Sequence, residues 1–225
     1  MQKIKICGIT QERELDMLIE LKVDYAGFVV FFPKSRRNND IGQAAKLINY
    51  IKEKKSSVSE EILLKTVAVM VSPDIGQLNG AEEAGFDILQ IHGELYEEVR
   101  KRSRLPIWRA FNLSSYENSS SLSIGLKKMV SDNKISGIVF DGAGYGGGEA
   151  FKWDTLKNID INIRDKLFIL AGGLTSENVA KAVGTLNPDI LDVSSGVEYD
   201  DKTIPGKDLE KTERFVRAVR DCMRR

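Results

Sequence analysis

Eight short apolar runs, separated by amphipathic helix-patterned stretches, predict an α/β fold: a single-domain (β/α)8 (TIM) barrel with eight parallel strands. Three observations carry this reading. The runs recur along the whole of the 225-residue chain. Several are nearly continuous rather than alternating, as strands covered on both faces are. Strand and helix patterns alternate, which implies βαβ units and a parallel sheet. An open doubly wound sheet is the competing topology.

The runs are Ile4–Cys7, Tyr25–Phe31, Thr66–Val71, Ile88–Ile91, Ile107–Phe111, Gly137–Phe140, Leu167–Leu170 and Ile190–Val193. They are rich in Val, Ile and Phe and too short for helices. Between them, Gln11–Leu21 sets Leu15, Leu18, Ile19 and Lys22 near one face, and Ile41–Ile51 carries Ala44, Ala45, Leu47, Ile48 and Ile51. A helix over Thr175–Val183 takes Thr175 or Ser176 as its N-cap. Asp208–Cys222 carries Leu209, Phe215, Val216 and Val219 at helical spacing. Lys52–Glu61 reads as a solvated helix extension and loop, and Ser114–Ser123 as a polar loop.

Composition removes several classes of function. With 33 basic and 33 acidic residues the net charge is zero, so the footprint of a nucleic-acid or membrane-surface binder is missing. Two cysteines do not make a disulfide scaffold, and one histidine argues against a zinc cage. The alternating start, Met1 to Cys7, lacks the apolar core of a signal peptide, and no run approaches the ~18 apolar residues of a membrane span. A cytoplasmic protein with neither nucleic-acid nor membrane partner, and no metal, is expected. Either a monomer or a homodimer is compatible with the sequence.

In a parallel barrel the active site gathers at the C-terminal strand ends. Here those ends carry polar or glycine-rich elements, while the strand interiors are apolar. Cys7 ends the first strand, as either a small buried residue or a proton-transferring thiol. Asp141 ends the sixth and caps a turn, stays exposed or serves as an acid. Arg36-Arg37 is a solvated corner or a bidentate carboxylate clamp. His92 fits a cavity wall better than catalysis. Gly172-Gly173 and Ser194-Ser195-Gly196 follow the last two strands. They are ordinary turns or a phosphate site, where a side chain would keep the anion from the backbone.

Together these residues resemble the phosphoribosylanthranilate isomerase family of tryptophan biosynthesis. The matching segments are Lys5-Ile6-Cys7-Gly8-Ile9-Thr10, residues 27–37 (GFVVFFPKSRR), Gln90-Ile91-His92-Gly93 and Gly172-Gly173-Leu174 with Glu177-Asn178-Val179. Asp192 to Glu198 (DVSSGVE) and Pro205-Gly206-Lys207-Asp208 complete them. The resemblance implies a cofactor-free Amadori rearrangement of N-(5-phosphoribosyl)anthranilate, a phosphorylated small molecule, to the 1-deoxyribulose isomer. It implies Cys7 as general base, Asp141 as general acid and Arg37 as partner of the anthranilate carboxylate. Gly173, Ser195 and Gly196 would hold the phosphate, and His92, Gly147, Gly148, Gly172 and Asp192 complete the substrate-binding set. The chain departs from the family pattern at Arg36, which replaces a proline. It departs again at Gly146-Gly147-Gly148-Glu149, where a Gly-Gly-Thr-Gly is usual and the loop after Asp141 is shorter. The alternatives are a related or dual-substrate phosphosugar isomerase of histidine biosynthesis, which would carry an aspartate in place of Cys7, and a non-catalytic phosphate-binding barrel.

Overall fold

A computed structural model of the chain describes residues 2–57, 62–112, 125–127, 129–142, 156 and 165–222. It divides into two compact units. One comprises Lys5–Ile107 and Tyr199–Lys207, the other Met1–Ile4, Trp108–Glu198 and Asp208–Arg225. Nine strands occur among the described residues: eight where the apolar runs predict them, and one that the sequence reading did not anticipate.

In the first unit, residues 5–7 of β1 (Lys3–Cys7) pair in parallel with β2 (Tyr25–Val30), setting Lys5 beside Tyr25, Ile6 beside Ala26 and Cys7 beside Gly27. The expected strand ran on to Phe31, but Phe31 takes φ 58 and ends it. The unanticipated strand β3 (Asn38–Asn39) pairs with Val29 and Val30. Asparagine is a poor strand former, so tertiary bonds hold it there. Asn38 Oδ1 accepts from Phe32 N at 2.7 Å, and the buried Asn39 Nδ2 donates to Ile9 O at 2.9 Å. β2 also pairs with β4 (Lys65–Val71), and β4 with β5 (Ile88–His92), all in parallel.

The helices of this unit follow their apolar faces and caps. α1 (Glu12–Glu20) buries Leu15, Met17 and Leu18, and Lys22 lies beyond its end with φ 48. α2 (Ile41–Ser57) buries Ala44, Leu47, Ile48 and Ile51 and continues over Lys52–Ser57, the extension expected from its charge. α3 (Ile75–Ala84) is N-capped by Asp74, whose Oδ1 accepts from Gln77 N at 2.8 Å, and it closes on left-handed Gly85. α4 (Glu97–Arg102) has acids in its first turn and bases in its last, complementing the helix dipole.

In the second unit, β6 (Ile107–Asn112, from Trp108 onward) neighbours β7 (Ile135–Asp141). β7 pairs in parallel with β8 (Leu167–Ala171), and β8 with β9 (Ile190–Val193). Trp108 is buried against Gly137, where a Cβ would lie 2.7 Å from the indole Cδ1. Phe140 and Phe168 pack edge to face at 5.1 Å. α5 spans Val179–Leu186 with Asn178 at its N-cap position, two or three residues beyond the expected caps Ser176 and Thr175. Thr175 is drawn into a turn instead: its N donates to Asn178 Oδ1 at 2.8 Å, and its Oγ1 accepts from Glu177 N at 3.3 Å. α6 (Leu209–Cys222) buries Phe215, Val216 and Val219, each worth about 1.5–3 kcal/mol of burial. Asp208 Oδ1 accepts from Lys211 N at 3.0 Å, capping the helix. Among the described residues no helix is long and apolar enough to cross a membrane.

Candidate functional site

In the unit that holds Cys7, the chain comes to a charged, well-fastened strand end. Cys7 is the last residue of β1 and is half-buried. Gly8 follows with φ 88, and a Cβ built there would meet Arg37 Cδ at 2.5 Å and Lys207 Nζ at 3.3 Å. Glycine is therefore required twice over, by its conformation and by the two basic side chains laid across it. Of the two adjacent arginines, Arg37 is the one over this strand end. Arg36 is turned elsewhere, its Nη1 donating to Lys202 O at 3.4 Å.

A buried carboxylate fastens the surrounding loops. Glu14 Oε2 accepts from Thr10 N at 2.7 Å, Thr10 Oγ1 at 3.2 Å and Gln11 N at 2.9 Å. Its Oε1 accepts from Lys207 N at 2.7 Å. Charge-assisted bonds of this kind are roughly twice as strong as neutral ones. The loop after β1 and the Gly206-Lys207 turn are thus tied to one side chain, which brings Lys207 to Gly8. His92 ends β5. Gln90 Nε2 lies 3.0 Å from His92 Nε2, a hydrogen bond that ties the ring to the strand end.

In the other unit the elements are backbone-built. Asp141, half-buried, ends β7 and is in register with Ala171, the residue before Gly172. The end of β7 at Asp141 therefore lies beside the start of the Gly172-Gly173 loop. Both glycines have positive φ, 90 and 64. Asn178 fixes the loop from the start of α5, its Nδ2 donating to Gly173 O at 2.8 Å. Ser195 and Gly196 begin a single 3-10 turn, Ser195–Val197. A Cβ on Gly196 would run into the Leu174 carbonyl oxygen, so the loops after β8 and β9 are in direct contact, as a two-loop anion site needs. Asp192 is buried within β9. Beside the first loop, Ser176 Oγ donates to the Glu177 carboxylate at 2.7 Å. That bond, with a further one from Thr175, pulls the Glu177 pKa down to about 2.

Gly147 and Gly148 lie outside the described residues, as do the rest of residues 143–155 and all of Ser114–Ser123. Among the described residues no cluster of three or more His, Cys, Asp or Glu is placed to hold a metal ion. Three residues at the Cys7 end were not foreseen: Lys5, Glu14 and Lys207, all buried. A signal for Lys5 was available, since it stands two residues before Cys7 and so on the same face of its strand.

A family model described as N-(5'phosphoribosyl)anthranilate (PRA) isomerase matches residues 4–218. The chain is 34% identical over 226 residues to N-(5'-phosphoribosyl)anthranilate isomerase of a Thermoanaerobacter species, covering 98% of each. The crystal structure of phosphoribosyl anthranilate isomerase from Thermotoga maritima, 27% identical, matches with a TM-score of 0.78 over 98% of this chain and 100% of that one. Another structure of a phosphoribosyl anthranilate isomerase holds reduced 1-(o-carboxyphenylamino)-1-deoxyribulose 5-phosphate. It is 26% identical, with a TM-score of 0.72 over 98% of this chain and 100% of that chain. The fold class is that of these structures, a (β/α)8 barrel of eight parallel strands.

Proposed function

The chain belongs to the N-(5'-phosphoribosyl)anthranilate isomerase family, and on that premise we propose that it catalyses the family's reaction with Cys7 as general base and Asp141 as general acid. The observation that carries the reading is the match over residues 4–218, within which Cys7 and Asp141 each close a strand at its C-terminal end, half-buried. The substrate is N-(5-phosphoribosyl)anthranilate, and the step is the isomerisation in tryptophan biosynthesis.

The chemistry suits these residue types. Asp141 gives its proton to the furanose ring oxygen as the ring C–O bond breaks, leaving a Schiff base. The Schiff base acidifies the C2′ hydrogen. The Cys7 thiolate takes that proton, and the electron pair stays in the substrate as an enolamine, which tautomerises to the ketone. Nothing is oxidised or reduced overall, so no cofactor is needed, and activity is expected to survive chelator. Arg37 pairs with the anthranilate carboxylate. Gly173, Ser195 and Gly196 hold the phosphate through backbone N–H groups, with Gly172 shaping the turn. His92 and Asp192 line the substrate. The chain works as one catalytic domain, residues 1–225, in the cytoplasm.

An ordinary carboxyl, with a pKa of ~4, is ionised at pH 7, and an ordinary thiol, at ~8.5, is protonated. Both are the wrong form for these roles, so the protein must shift each of them or work through a small active fraction. The test is a fluorescence assay of phosphoribosylanthranilate consumption. Cys7→Ser and Asp141→Asn are each expected to lower kcat by about 10²–10⁴-fold. Wild-type kcat in both would refute the assignment.

A further inference from the structure

Lys5 has none of its surface exposed, which is rare for a lysine. It precedes Cys7 by two residues, so both side chains leave β1 on one face. Gly27, the register partner of Cys7, shows where they go. A Cβ built on Gly27 would lie 3.0 Å from Lys5 Nζ and 3.0 Å from Cys7 Sγ. Two atoms each 3.0 Å from one point are at most 6.0 Å apart. The amine and the thiol therefore share the small space that Gly27 leaves open.

We propose that Lys5 is a positioning residue for Cys7, its buried ammonium holding the sulfur in the thiolate form that proton abstraction requires. The proposal rests on Cys7 being the base. An opposite charge within about 4–6 Å lowers a thiol's pKa by roughly 1–3, and the burial of Lys5 weakens the screening of its charge by water. Lys5 makes and breaks no bond. The C2′ proton goes to sulfur and the ammonium keeps its protons throughout.

Other charged groups of this unit also reach the strand end. Arg37, from the segment after β2, and Lys207, from the segment before α6, lie over Gly8. Their field has the same sign. The Glu14 carboxylate of α1 opposes it, but its oxygens are occupied by the N–H groups of Thr10, Gln11 and Lys207. Lys5 is set apart by facing the same Gly27 gap as the sulfur.

The experiment measures iodoacetamide alkylation of Cys7 against pH in the full chain carrying Cys222→Ser. With Lys5 present, the midpoint is expected at least about 1 below the ordinary ~8.5 of a thiol. In Lys5→Met it rises by about 1 or more, the thiolate fraction at pH 7 falls about tenfold, and the acid limb of the kcat/KM profile moves with it. Lys207→Met, which removes an equally buried cation, moves the midpoint less. A midpoint at or above ~8.5 with Lys5 in place overturns the proposal. So does an unchanged midpoint in folded Lys5→Met. If Lys5→Met does not fold, the midpoint with Lys5 present, compared with that of Lys207→Met, decides the matter. A Cys7→Ser variant that turns over normally would remove Cys7 as base, while the alkylation midpoint would still report whether Lys5 acts on the sulfur.

Discussion

The strand end at Cys7 and the joined loops at Gly172-Gly173 and Ser195-Gly196 are organised by opposite means. At Cys7, charged side chains do the placing: Glu14 ties the loop after β1 to the Gly206-Lys207 turn, and Arg37, Lys207 and Lys5 converge on Gly8 and Gly27. At the loops the backbone does it, through positive φ at two glycines, the Asn178–Gly173 bond and the seat of Gly196 on the Leu174 carbonyl. The difference matches the two tasks assigned to them. A proton-transfer group needs a tunable field, supplied by ionised side chains. An anion needs fixed N–H dipoles and no intruding Cβ. The first should respond to charge, the second to volume.

The comparison can be attacked from either side. Apart from Cys7 and Asp141, the proposed base and acid, the largest effect is expected from volume. Gly196→Ala should cost about 1–3 kcal/mol of stability by forcing a methyl into the Leu174 carbonyl. It should also raise KM about tenfold or more, with a smaller change in kcat. Thermal unfolding and steady-state kinetics check both, and a variant matching wild type in each would show that the loops need no exclusion of side chains. Next comes charge. Arg37→Met should raise KM by about tenfold or more, the worth of a hydrogen bond to an ionised partner. Arg36→Met should leave KM within about twofold, because its guanidinium is directed to the exposed Lys202 carbonyl. Equal effects of the two would undo the distinction between the arginines.

The smallest effect sharpens the comparison rather than breaking it. Glu177 has its folded pKa lowered to about 2, chiefly by the Ser176 hydroxyl. Its contribution to stability is therefore complete above the ordinary glutamate pKa of ~4.3 and lost as pH falls through about 2. Being exposed, it contributes little. Acid unfolding of Glu177→Gln beside the parent should show slightly less loss of stability across that window, and identical curves would remove Glu177 from the account of this turn.

Strand positions were legible because Val-, Ile- and Phe-rich runs of four to seven residues have little else to become. β3 was not, because two asparagines carry no strand signal and pair only where Ile9 and Phe32 supply partners. The start of α5 was misplaced for a related reason. Thr175 and Ser176 look like caps in one dimension, but the Asn178 side chain reaches back and turns Thr175 into part of the preceding loop. At the Cys7 end, Cys7 and Arg37 were legible from residue type and family motif. Glu14 was not, because a lone charged residue in an amphipathic segment reads as solvent-facing, and Lys5 was missed for the same reason although its spacing from Cys7 put both on one strand face. Only burial shows otherwise.

The Glu14–Lys207 bond joins positions 193 residues apart. On a ribosome adding about 5–20 residues per second, a nascent chain would wait roughly 10–40 s between making the acceptor and making its last donor. Until then Glu14 Oε1 lacks the Lys207 donor, although the local bonds of Thr10 and Gln11 to Oε2 are free to form. The earliest strand to emerge is thus among the last places to reach final form, which defers a working thiol until nearly all of the polypeptide exists.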